Sequence, residues 1–168
     1  MKRIALLVVA LSLTLIPFAA AQSNDEPTQV CDAAKVGFYL PDDAQTTVDK
    51  DLWVAVSSSE GLVVMVYPND SVLGVKDLTD KNLAKACAAQ GIKNYKFIDS
   101  YSDTGLVCTY GQGNYKKDGK NYDGFFGILD NSDIKGKTFF VAFMVPSLKD
   151  KATYKRILDM VDSMVPME

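Results

Sequence analysis

The chain has 168 residues, is 48% hydrophobic, and carries 21 Asp+Glu against 18 Lys+Arg, with no histidine. That length and apolar content fit one domain with a sizeable core. The missing histidine removes the usual general base near neutral pH and the commonest metal ligand, so Ser-His-Asp and Cys-His catalysis are excluded.

Residues 1–21 read as a signal peptide. Lys2-Arg3 form the positive start, residues 4–16 an apolar run of 13, and Ala19-Ala20-Ala21 a small-residue cleavage site. The run falls short of the roughly 20 residues a spanning helix needs, so the mature chain is expected to be exported, periplasmic or secreted, and not membrane-spanning. Without Lys2 and Arg3, 16 bases face 21 acids, a net charge of −5. Residues 22–75 hold nine of those acids and two bases. Solvation is the plain reading of that half; docking to a basic partner is the sharper one. No basic stripe suited to nucleic acid is present, and Arg156 is the only mature arginine.

Residues 22–29 are polar, include Pro27, and read as a mobile tail. Residues 22–35 form tail and lead-in, and residues 36–168 a single domain. Residues 36–40 suggest a short strand closed by Pro41-Asp42-Asp43; residues 52–56 and 62–67 suggest a hairpin closed by Pro68-Asn69-Asp70. Asn69-Asp70-Ser71 fits an N-glycosylation sequon, a triplet that often arises by chance. Thr79 or Asp80 can cap a helix running to Gln90 and stopped by Gly91, with Leu83, Ala84, Cys87 and Ala88 on one narrow face.

Four strands follow, over residues 95–101, 105–111, 122–129 and 138–145. Their turns fall at Asp103-Thr104-Gly105, at Asp118-Gly119, and at Asp130-Asn131 with Gly136. Phe125-Phe126 and Phe139-Phe140-Val141 put large apolar residues on both faces, which marks central strands covered on both sides. Ser147 or Asp150 caps the last helix. Tyr154, Ile157, Leu158, Val161 and Val165 form its apolar stripe, and Pro166 ends it. The order is three strands, helix, four strands, helix. It predicts an α+β fold: a largely antiparallel sheet of six to seven strands sandwiched by two main helices.

Several residues carry a resemblance. They are Val36-Gly37-Phe38-Tyr39-Leu40-Pro41-Asp42, the hairpin from Trp53 to Tyr67, the Asp118-Gly119 tip with Tyr122, and residues 139–145 with Pro146, Tyr154, Ile157, Leu158 and Val161. Over most of residues 36–165 the chain resembles the PsbP-like family. That family includes a photosystem II extrinsic subunit, a Ran-binding import factor and many exported bacterial proteins. The resemblance implies an α+β sandwich and a non-catalytic accessory or interaction role in the cell envelope, with a protein partner it does not identify. A monomer is expected. The alternative is a binder of a small apolar ligand between sheet and helix.

No catalytic, cofactor-binding or metal-binding residue is assigned, and no cofactor is expected. Gly111-Gln112-Gly113 lacks a third glycine and a following helix and reads as a turn. Asp130-Asn131-Ser132-Asp133 offers oxygen ligands but lacks the EF-hand glycine and closing glutamate, so a plain turn is favoured. Asp42, Asp43, Asp49 and Asp51 read as a solvated acidic cluster. Lys116, Lys117 and Lys120 at the Asp118-Gly119 tip read as a soluble hairpin, or as contact with an acidic surface.

Export makes one disulfide and one spare thiol the expected use of Cys31, Cys87 and Cys108. A helical Cα facing a sheet lies roughly 7–8 Å from it, beyond the ~6.8 Å limit for a disulfide, which argues against Cys87 to Cys108. The expected bond is Cys31 to Cys87, with Cys31 to Cys108 next.

Overall fold

The computed structural model describes residues 27–69, 79–135 and 137–167. The signal-peptide segment, residues 22–26, Asp70 and Ser71 of the sequon, and Gly136 lie outside the described residues.

β9 (Thr138–Val145) is the centre of the molecule, and all eight of its residues are buried. It is the fourth strand of a seven-stranded antiparallel sheet. β5 (Leu62–Pro68), β4 (Leu52–Ser57) and β3 (Gln45–Asp49) follow on one side; β8 (Lys120–Asn131), β7 (Leu106–Lys117) and β6 (Lys93–Asp103) follow on the other. Successive side chains of a strand point to opposite faces, so a strand between two cores must be apolar at every position. Phe139, Val141, Phe143 and Val145 enter one core, and Phe140, Ala142 and Met144 the other. Phe125 and Leu129 of β8 join the first core, Phe126 and Ile128 the second. The doubled aromatics therefore mark doubly covered strands, as the sequence predicts.

α1 (Asp80–Ala89) covers the second core. Thr79 caps it by accepting from the Asn82 N–H, and Gly91 takes the positive φ of +85° that ends it. Its buried face is Leu83, Ala86 and Cys87, at i, i+3 and i+4. Ala88, expected on that face, is exposed. α2 (Lys151–Asp162) covers the first core, with Asp150 as its cap accepting from the Thr153 N–H at 2.8 Å. Ile157 and Val161 are its fully buried residues, while Leu158 is half-buried. The helix ends at Asp162, before Pro166. Val165 and Pro166 instead form β10 (Val165–Pro166), which pairs with β2 (Val36–Phe38).

β1 (Gln29–Cys31), β2 and β10 make a small second sheet beside α2, ordered β1-β2-β10. Proline has no N–H to give a ladder, and Pro166 sits on an edge strand where that loss is tolerated. The mobile-tail reading fails for residues 27–29. Gln29 is in β1. The Thr28 hydroxyl accepts from the Leu40 N–H at 2.8 Å and lies 3.0 and 3.1 Å from the Leu40 and Phe38 carbonyls. The Pro27 ring packs where a Cβ on Gly37 would stand, 2.6 Å from its Cγ. Deleting residues 22–29 is therefore expected to cost about 2 kcal/mol, a fall of roughly 4–8 °C in melting temperature. A thermal melt of the truncated protein checks this; an unchanged transition would show that the segment binds nothing.

Gly111-Gln112-Gly113 is a second correction. It lies in the middle of β7, paired through Gly111 to Phe126 and Gly113 to Gly124. The glycines are needed for packing, not for turning. A Cβ on Gly111 would meet the Tyr95 ring at 2.5 Å, and one on Gly113 would meet Ile92 at 2.6 Å.

Candidate interaction surface

Several polar groups inside the fold hold its turns and helix ends in place. Asn131 is 1% exposed, and its Nδ2 donates to the Ala34 and Lys35 carbonyls at 3.1 and 3.0 Å. Its Oδ1 accepts from the Asp133 N–H. The Asp130–Asp133 stretch is thus a turn that ties β8 to the loop after β1, and burial pushes the Asp130 carboxyl up. Among the described residues no group of three or more acidic or cysteine side chains is placed to hold a metal. Tyr110 Oη donates to Asp162 at 2.6 Å, and Tyr101 Oη to the Met164 carbonyl at 2.6 Å, pinning both ends of the passage from α2 to β10. Glu60 pairs with Arg156, joining the β4–β5 tip to α2.

All three cysteines are free and buried. The expected Cys31–Cys87 bond is not formed. Cys31 and Cys108 belong to the first core and Cys87 to the second, so the sheet stands between Cys87 and the other two. Residue types alone do not fix which face of the sheet the lead-in to β2 covers. Burial pushes the Cys87 thiol up to about 12 and raises Cys31 and Cys108 as well. These thiols are inert near neutrality. Their raised values stabilise the fold below the unfolded value of about 8.5, and that contribution is lost as pH rises from there toward about 12. The urea midpoint should therefore fall between about pH 9 and 11. At about pH 8, a thiol reagent should label none of the three rapidly until the protein is denatured, and then all three.

The acidic cluster divides. Burial pushes the Asp43 carboxyl up, but hydrogen bonds outweigh it and hold Asp43 below the usual range. Its oxygens accept from Ser57 Oγ at 2.6 Å, Ser59 Oγ at 2.9 Å and the Ser59 N–H at 2.8 Å, so it organises the β4–β5 tip. Asp42, Asp49 and Asp51 are exposed. Asp49 ends β3 and Asp42 and Asp51 lie just outside it; β3 is one outer edge of the seven-stranded sheet. Five of the lysines lie toward the other, beside Asp99 and Asp118. Lys93 and Lys96 are exposed on β6, the opposite edge, and β7 and β8 beside it carry Lys116, Lys117 and Lys120 at their shared tip. The acidic residues thus gather along one edge, while the opposite edge mixes Lys93 and Lys96 with Asp99.

The two edges also differ in form. β6 breaks register with β7 twice, between Lys93 and Lys96 and between Phe97 and Asp99, and Asn94 takes a φ of +52°. Bulges and lysines are the usual protections of an edge strand. β3 pairs with β4 in unbroken register and is exposed at all five positions. It was missed in the sequence because Gln45-Thr46-Thr47-Val48-Asp49 has no apolar face to bury.

Comparison with solved structures fits this architecture. The solution structure of cyanobacterial PsbP (CyanoP) from Synechocystis superposes with a TM-score of 0.54, covering 82% of this chain and 90% of that one at 12% identity. The fold is PsbP-like. A crystal structure from Bacteroides thetaiotaomicron is similar at a TM-score of 0.49 and 12% identity. It covers 83% of this chain, which spans about half the length of that protein, 48%. No family model and no curated protein sequence matches the chain. The PsbP-like sandwich expected from the sequence is the fold observed, and no helix among the described residues is long and apolar enough to cross a membrane.

Proposed function

We propose that this chain is an exported, non-catalytic accessory domain of the cell envelope that works by binding another protein. The observation that carries the reading is the exposed acidic edge at β3, unlike the bulged edge at β6. The β3 edge is regular and bears Asp42, Asp49 and Asp51; the β6 edge is bulged and bears charges of both signs. Complementary charge gives a partner orientation and speed of encounter, so an exposed acidic edge suits association. The signal-peptide pattern of residues 1–21 and the PsbP-like fold support the compartment and the accessory role.

Crosslinking in intact envelopes, followed by mass spectrometry, tests the reading. A reproducible partner enriched over an exported control domain of similar charge is expected. No enrichment over that control would remove the proposal.

A further inference from the structure

We propose that β3 is a docking edge for an extended, basic segment of a partner protein, which adds to the sheet as an eighth strand. This rests on the protein-binding reading above and names its surface.

Among the described residues only β4 pairs with β3. In an antiparallel ladder alternate residues turn their N–H and C=O groups to one side, so a five-residue outer strand offers roughly two or three residues' groups to a newcomer. Such groups are the backbone half of strand addition. The chain protects its other edge by bulges and lysines but leaves this one straight. No proline and no lysine lies within β3 itself; Lys50 belongs to the turn that follows.

The side chains specify the newcomer. Val48 pairs with Trp53 and Thr46 with Ala55, which places them on the face of the first core. Trp53 is buried, yet Val48 is 69% exposed, the most exposed large apolar residue among those described. Among the described residues nothing covers it from beyond the edge. Gln45, Thr47 and Asp49 lie on the opposite face, and the exposed carboxylates of Asp42 and Asp51 stand just outside the two ends of the strand. A strand laid against this edge is matched when it alternates: β-branched apolar residues on the Val48 face, basic residues on the Asp49 face. An acidic segment would set like charges against Asp42, Asp49 and Asp51. The geometry thus selects both the conformation of the ligand and its charge.

The test uses a fluorescein-labelled eight-residue peptide of alternating valine and lysine, read by anisotropy against the full mature protein. Saturable binding is expected. Two changes should each weaken it at least tenfold. One is the double variant Val48→Lys with Asp49→Lys, checked by melting to be folded. The other is N-methylation of alternate peptide amides, which removes backbone donors and keeps the charge. Lys96→Glu on the opposite edge should bind like the parent. No saturable binding, equal binding of the methylated peptide, or no loss in the double variant would overturn the proposal. So would self-association of the parent that Lys96→Glu abolishes, since the occupant would then be β6 of a second copy. Envelope crosslinking of the double variant separates the two readings. A partner retained by the variant sinks the β3 edge alone; no partner with either protein sinks the protein-binding reading itself.

Discussion

Ile157→Asp is expected to leave no cooperatively folded domain. Ile157 is 0% exposed and sits mid-way along α2, in the core that also holds Phe125 and Val141. A carboxylate there would have to stay ionised without a partner, or be protonated at a large cost in free energy near neutral pH. Either outcome adds to the loss of an isoleucine's packing. The total approaches the roughly 5–15 kcal/mol that holds a domain of this kind together. The neighbouring Leu158→Asp is the control. Leu158 packs on the same core but is half-buried, so its carboxylate can reach water and the protein should melt lower yet still cooperatively. Circular dichroism melts of the two variants decide the matter. A cooperative Ile157→Asp transition, or a Leu158→Asp protein as disrupted as Ile157→Asp, would mean that α2 is rotated on the sheet from its described position.

The contrast between those two residues shows how far the sequence could be read. The apolar stripe of the last helix was legible, because 3.6-residue periodicity is written in the residue types. Its centre was not, since the stripe treats Ile157 and Leu158 alike and only the sheet beneath decides which one is covered. The same limit applies elsewhere. β8 and β9 were legible because a strand covered on both faces has no polar alternative. β3 and β10 were invisible: one buries nothing, and the other contains a proline that local rules assign to a helix end. Gly111 and Gly113 were misread because local rules give glycine to turns, while here it makes room for Tyr95 of the neighbouring strand and for Ile92 just before that strand. The candidate surface fell between these cases. Its acidic residues were counted correctly in the sequence. That they line one sheet edge, with the lysines of residues 93–120 toward the other, follows only from strand order.

Phe38→Ala is expected to be the most damaging deletion of a single side chain in the small sheet. Phe38 is 0% exposed and belongs to β2, the middle strand between β1 and β10. Its ring stacks on Trp53 at 5.1 Å with an interplanar angle of 18°, and lies 6.0 Å from Phe143, tilted by 56°. The residue therefore bolts the small sheet to β4 and β9 of the large one. Truncation removes that contact and leaves a void that neighbours on two sheets cannot jointly close. Phenylalanine-to-alanine changes in cores cost about 3–5 kcal/mol. At roughly 2–4 °C per kcal/mol for a chain of this size, melting should fall by about 6–20 °C. Trp53 is the only tryptophan, so native fluorescence reports the site directly. Emission should shift to the red as the indole loses its stacked neighbour, before any global unfolding. Phe38→Leu leaves a smaller void and should lose about half as much stability. Amide exchange should quicken first in β1 and β10, which have no other strand to pair with in that sheet. A Phe38→Ala protein that melts like the parent with unshifted emission would show that the small sheet is held by other contacts, with the stacked pair contributing nothing.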